Sequence, residues 1–279
     1  MMMKLTVLMD NTTILDKPYL SESGLSFLIE TDDAKVVFDT GYSPIFLSNA
    51  RKMGIALTDI NAVAISHGHN DHTNGLPALG KLLQRGGKRI AVILHPDCLE
   101  KKWWRNKDGS LEEIGMPTDR EALELYYDVT PIETPTKIGD SLYFLGTIPR
   151  NEPAAYESIG LIANKENQLE PDFVFDDSAI VYDGKDGLVI INGCAHSGLV
   201  NIMSYTKELF PGKPVAAVIG GFHMISKDQS WLGDTAAKIR TFEPNMIYPC
   251  HCTDEASRAF LRSQFPVGTI GVGSILTFK

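Results

Sequence analysis

Long apolar runs are missing from this sequence: nowhere in its 279 residues is there the stretch of about 18 that a membrane-crossing helix requires. A membrane-spanning chain is therefore not expected. The opening segment, "MMMKLTVLMDNTT", carries one lysine and a short apolar run broken by Asp10 and Asn11. It lacks the apolar core and cleavage site of a secretory leader, and the expected location is cytoplasmic. Cysteine is scarce as well. Cys98, Cys194, Cys250 and Cys252 are too few and too irregularly spaced for a disulfide framework, which leaves free thiols or metal ligands. A cationic surplus is also lacking. With 26 Lys and Arg against 35 Asp and Glu, the formal net charge of −9 disfavours a long nucleic-acid partner, although a small phosphorylated molecule stays open. No Gly/Ser linker, low-complexity tract or solenoid repeat divides the chain, so residues 1–279 read as one domain.

What is present is a series of short Val/Ile/Phe-rich runs ending in Gly, Asp, Asn or Ser, among them "LTVLM", "LSFLIET", "AKVVFDTG", "AVAIS", "SAIVYD", "LVIING" and "VAAVIGG". Such runs read as strands, several of them buried on both faces. Amphipathic segments of helical length lie between many of them, including "PIFLSNARKMG", "LPALGKLLQRGG", "GLVNIMSYTKELF" and "EASRAFLRSQF", and the class is α/β. Residues 1–50 have the rhythm of an antiparallel meander. Residues 188–265 instead repeat strand, polar loop and helix three times, and each of those loops contains a histidine: "INGCAHSG", "IGGFHM" and "YPCHCT". Ligands bind beyond the carboxyl ends of strands in such sheets. Residues 99–127 and 149–172 are irregular and polar, and read as surface insertions able to cover a site.

Three of the seven histidines fall within "AVAISHGHNDHTNGL", residues 62–76. "AVAIS" is a buried strand by composition, and the Gly and Asn residues that follow mark a loop before a helix. His67 and His69 can converge on one point of that loop while Asp71 and His72 face another. Zinc accepts imidazole nitrogen and carboxylate oxygen, so these four side chains can begin two metal sites without completing either.

In its strand-to-loop context, "HGHNDH" resembles the H-x-H-x-D-H signature of the metallo-β-lactamase superfamily. The resemblance implies a four-layer αββα sandwich with a one- or two-metal site at one sheet edge. "VVFDTG" looks like that superfamily's first motif, in which Asp39 supports the metal loop from behind. His251, in "MIYPCHCT", matches the last ligand. The usual middle histidine is missing, because residues 128–187 contain none. His196 is the preferred replacement, with Cys194 either a soft ligand or a buried neighbour and Asp176 and Asp177 an alternative carboxylate source. Cys250 and Cys252 flank His251 at the opposite side-chain parity of an extended strand and read as packing.

The wider set "LMDN", "SHGHNDHTNGL", "NGCAHSGLVNI", "VIGGFH" and "HCT" resembles the subgroup related to 7,8-dihydropterin-6-methyl-4-(β-D-ribofuranosyl)aminobenzene-5'-phosphate synthase. That makes His223 a candidate proton donor or phosphate holder, and Asp71 a catalytic carboxylate as well as a ligand. Arg150 is a candidate for binding an anion, and Trp103 and Trp104 for covering a flat ring. The implied function is metal-dependent hydrolysis of a small, anionic ester, phosphoester, lactone or amide. The alternative is a pterin–arylamine synthase that releases pyrophosphate. One or two zinc ions are expected, with iron, manganese and nickel open, and the partner is a small-molecule substrate. Oligomeric state, a homo-oligomer included, is not legible. A di-iron redox enzyme of this superfamily carries a glutamate where His69 stands and adds a flavin domain, so that reading is disfavoured, as is β-lactam hydrolysis.

Overall fold

The computed structural model describes residues 2–163 and 168–279. In the N-terminal part, β1 (Met3–Met9), β2 (Ser26–Glu30) and β3 (Lys35–Phe38) form the expected antiparallel meander. Helix α1 (Ile45–Lys52) leads to β4 (Ala62–Ala64), the one-turn α2 (Asn70–Thr73), α3 (Leu76–Arg85) and β5 (Ile90–Leu94). After β6 (Lys102–Arg105), β7 (Leu111–Glu113) and α4 (Arg120–Leu123), β8 (Tyr127–Pro131) pairs in parallel with β5. The C-terminal part holds β9 (Thr136–Lys137), β10 (Leu142–Phe144), β11 (Leu161–Ala163), β12 (Leu169–Pro171), β13 (Ala179–Gly184) and β14 (Gly187–Asn192). It continues through α5 (Leu199–Leu209), β15 (Val215–Gly221), α6 (Gln229–Arg240), β16 (Ile247–Cys250) and α7 (Glu255–Gln264) to β17 (Ile275–Phe278).

Two large sheets result, ordered β17-β1-β2-β3-β4-β5-β8 and β16-β15-β14-β13-β10-β9. Strand periodicity explains how they stack. Phe27 and Ile29 of β2 face Val189 and Ile191 of β14 and Ala217 and Ile219 of β15 in a core between the sheets. Leu28, Val37 and Val63 point the other way, onto Phe46, Ala50, Leu79 and Leu83 of α1 and α3. Ile190 and Val218 similarly leave the central core for Ile202, Leu232, Ile239 and Leu261 of α5, α6 and α7. The layers are therefore helix, sheet, sheet, helix, and strands buried on both faces account for the nearly unbroken apolar runs.

The two insertions are more ordered than their composition suggests. β6 and β7 from the first join β11 and β12 from the second in a small third sheet, ordered β12-β11-β6-β7. Their sequences hid this because β7 and β12 are exposed throughout and carry no apolar alternation. Residues 164–167 of the expected 149–172 insertion lie outside the described residues.

Candidate metal centre

β4 is only three residues long, and the loop beyond it carries "HGHNDH" into the groove between the ends of the two large sheets. His67, His69 and His196 converge there, as do Asp71, His72 and His251, each group with one ligand atom per residue within 4.8 Å of the others. Cys194 meets the same limit with His67 and His72, and again with His251 and Cys252, so its thiol lies between the two groups. His72 Nε2 is 3.2 Å from both Cys194 Sγ and His251 Nε2. Asp71 Oδ2 lies 3.3 Å from His251 Nε2 and 3.7 Å from His72 Nε2.

The rings are aimed from behind. Asp39 Oδ1 accepts the Ser66 N–H at 2.7 Å, and its Oδ2 accepts the Ser66 hydroxyl and His72 Nδ1–H, also at 2.7 Å. Because the single hydroxyl proton of Ser66 goes to Asp39, its oxygen accepts from His67 Nδ1–H at 2.9 Å. His251 Nδ1–H donates to Asn11 Oδ1 at 2.9 Å, and the His251 N–H to Asp10 Oδ1 at 2.8 Å. These bonds place a proton on each Nδ1 and turn each Nε2 toward the centre. Thr40, from the same "DTG" turn, donates both its N–H and its hydroxyl to the His72 carbonyl.

Backbone strain gathers at the same place. Asp39, Ala195, His223 and His251 all have positive φ, at 60°, 58°, 48° and 47°. Each such residue costs on the order of 1–3 kcal/mol, and strain of this kind concentrates at functional sites. The φ of His251 also breaks the strand alternation, so the parity that assigned Cys252 to packing does not apply. Its sulfur instead accepts the His223 N–H at 3.3 Å and belongs to the cluster with Cys194 and His251. Cys250, still within β16, packs in the central core.

Electrostatics divide the cluster. Burial pushes His67 and His196 well below the ordinary imidazole range, and His69 down to about 4. Burial opposes charge on His251 too, but the hydrogen bond to Asp71 and the neighbouring Cys252 and Asp10 raise it to about 9. Asp71 is held well below the usual carboxylate range, as the charges and hydrogen bonds of His72 and His251 outweigh its burial. Both ring nitrogens of His196 are buried without a hydrogen-bond partner among the described residues. His67 Nε2 and His69 Nδ1 face one another at 3.0 Å. Unpartnered imidazole nitrogens converging beside thiol and carboxylate groups form a donor set that fits a divalent cation.

The other candidates occupy varied positions. The His223 ring centroid is 4.5 Å from that of His196, its Nδ1 is buried without a partner, and the residue lines a cavity of about 180 Å³ with His196, Tyr156, Lys227 and Trp231. A second cavity, of about 280 Å³, opens beside His69 and Asp71. The Arg150 guanidinium lies 4.8 Å from the ring centroids of Tyr156 and Phe175 and donates to the carbonyls of Val174 and His196, so it braces the His196 loop. Trp103 and Trp104 sit in β6 and line neither cavity. Asp176 and Asp177 are not among the converging donors: Asp176 binds Lys102 and the Gly68 N–H, and Asp177 binds Ser197. Among the described residues no helix is long and apolar enough to cross a membrane.

Residues 22–251 match the family model of the metallo-β-lactamase superfamily, and the chain belongs to that superfamily. Within it, the chain is 27% identical over 271 residues to a Methanocaldococcus jannaschii protein named 7,8-dihydropterin-6-methyl-4-(β-D-ribofuranosyl)-aminobenzene-5'-phosphate synthase, covering 94% of this chain and 91% of that one. An uncharacterised protein of the same organism is 30% identical over 248 residues, 88% of this chain and 89% of its own. A crystal structure described as a metal-dependent hydrolase of the β-lactamase superfamily superimposes with a TM-score of 0.83 at 28% identity, covering 98% of both chains.

Proposed function

We propose that this protein is a metal-dependent hydrolase acting on a small, anionic ester, phosphoester, lactone or amide. The observation that supports this best is the pair of donor groups meeting at Cys194. In this reading His67, His69 and His196 hold one divalent ion, Asp71, His72 and His251 hold another, and Cys194 lies between; zinc suits such a nitrogen, oxygen and sulfur set. Ions held there supply Lewis acidity and an acidified water, whose pKa zinc lowers to about 7.

The chain's own groups do the rest. Asp71, partly open to the 280 Å³ cavity, orients the attacking water and accepts its proton. His223 lines the other cavity, with its buried Nδ1 unpartnered, and delivers a proton to the leaving group. Lys227, on the same wall, is ion-paired with Glu157 and can bind an anionic substrate group by exchanging that partner. Asp71→Asn is expected to lower turnover by about 100-fold or more while the fold, followed by circular dichroism, survives. Wild-type turnover in that variant would sink the assignment.

A second reading, a pterin–arylamine synthase releasing pyrophosphate, is favoured by the relative named as a synthase of a dihydropterin–aminobenzene phosphate, which aligns over nearly the whole chain. The same residues would then stabilise a leaving diphosphate. Release of pyrophosphate from a pterin diphosphate only in the presence of an arylamine would select this reading over hydrolysis.

A further inference from the structure

We propose that Asp176, held by Lys102, is a positioning residue that fixes the Gly68 peptide, and with it the direction of His69, before any ion binds. This rests on the reading of His67, His69 and His196 as a metal site. His67, His72 and His251 each have a hydrogen-bond partner behind the ring, in Ser66, Asp39 and Asn11. His69 has none: its Nδ1 faces His67, and its Nε2 has no partner among the described residues. Its aim must therefore come from the backbone.

That backbone is clamped on several sides. The Gly68 N–H donates to Asp176 Oδ2 at 2.6 Å, and Asp176 Oδ1 accepts from Lys102 Nζ at 2.9 Å. Lys102 also binds Asp172 Oδ2 at 2.8 Å, and none of the three side chains is more than 2% exposed. On its far side Gly68 leaves no room to shift, since a Cβ there would lie 2.4 Å from the Cys98 carbonyl oxygen. The Asn70 N–H donates to the Ile114 carbonyl at 2.8 Å. A buried ion pair is weak evidence for stability, because an apolar replacement of similar volume is often as stable. Here the pair joins a strand of the 99–127 insertion to the metal loop through Asp176, just past the 149–172 insertion, while Asp172 at the end of that second insertion holds the same Lys102.

The test uses Co²⁺ as the probe. Its affinity is read by titrating the visible absorption against a competing chelator, alongside the melting temperature of the metal-free protein. Asp176→Asn keeps an acceptor for Gly68 but turns an amide N–H toward Lys102. It is expected to weaken Co²⁺ binding 10–100-fold and to change the absorption spectrum. Asp172→Asn leaves the Lys102–Asp176 pair in place and is expected to keep Co²⁺ affinity within about threefold of wild type, a shift small beside those expected for ligand-supporting groups. In the metal-free wild type the Gly68 amide is expected to be protected from hydrogen exchange, a measurement that decides the matter even if Asp176→Asn fails to fold. Free exchange at Gly68, or wild-type affinity and spectrum in Asp176→Asn, would overturn the clamp while leaving the metal site intact. A wild-type protein that takes up no Co²⁺ would overturn the metal site and the clamp together.

Discussion

The N-terminal sheet delivers His67, His69, Asp71 and His72 from one loop after β4, whereas the C-terminal sheet uses a separate loop for each of His196, His223 and His251, after β14, β15 and β16. The first arrangement is dense in hydrogen bonds, with Asp39, Ser66, Thr40 and Asp176 all holding one short segment. In the second, side-chain bonds are spread over three loops, from Asp177 to Ser197 and from Asp10 and Asn11 to His251, and the His196 ring has no partner among the described residues. Position there comes from strained backbone at Ala195, His223 and His251 and from the parallel ladder beneath it. One half of the centre gathers its side-chain bonds on a single loop, and the other combines strained main chain with bonds scattered over three loops.

Matched substitutions on the two sides give the largest contrast. Asp39→Ala removes a buried acceptor of three hydrogen bonds, and is expected to cost about 3–5 kcal/mol of stability and 10–100-fold in metal affinity. His196→Gln keeps most of the volume of an unbonded ring, so it is expected to cost about 1.5 kcal/mol or less while still reducing the metal held per chain. Urea denaturation of the metal-free variants and elemental analysis of the loaded ones check both. Equal losses of stability would erase the distinction between the halves.

A smaller effect separates two adjacent carboxylates by pH. Burial raises Asp177, which supports the His196 loop through Ser197, to about 6 despite two hydrogen bonds. The folded chain then keeps a proton that the unfolded chain has released, so this group makes stability fall as pH rises from about 4 to about 6. The fall is at most about 3 kcal/mol, and Asp177→Asn is expected to flatten it. Burial opposes ionisation of Asp176 as well, but the charge of Lys102 and its hydrogen bonds bring its pKa down to about 2. Its contribution has the opposite sign, present above about pH 4 and lost as pH falls toward 2. Denaturation of the metal-free protein across pH 2–7 resolves the two slopes.

The smallest effect lies behind the last loop. Asp254 caps α7 by accepting the Ser257 N–H at 2.8 Å and also accepts the Ser226 N–H at 2.7 Å. Asp254→Ala is expected to cost about 1 kcal/mol in thermal or urea unfolding and to leave metal content unchanged. A loss of metal in this variant would show that the α7 cap also takes part in placing the C-terminal loops.

The same contrast governs how much of the protein was legible from sequence. Strands such as "LVIING" and "VAAVIGG" declared themselves because burial on both faces leaves an apolar run. The loop after β4 was legible because its residues are adjacent in the chain. The place of Cys252 beside Cys194 and His251 was hidden because alternation assumes extended backbone, and His251 turns out of it. The Lys102–Asp176 pair was hidden because its members are 74 residues apart, and only the fold brings β6 beside the segment that precedes β13. Proximity in the chain is visible in a sequence; proximity across a sheet is visible only once the register is known.

The parallel ladder of β14, β15 and β16 also acts as a ruler. Neighbouring strands run about 4.8 Å apart whatever their sequence. The registers Asn192↔Gly220 and Gly221↔Cys250 place the three histidine loops one pitch from the next. Spacing on this side of the centre is thus quantised by peptide hydrogen bonds. Drift in loop length or composition can change which side chain is presented, while the strand ends from which the loops spring keep their interval.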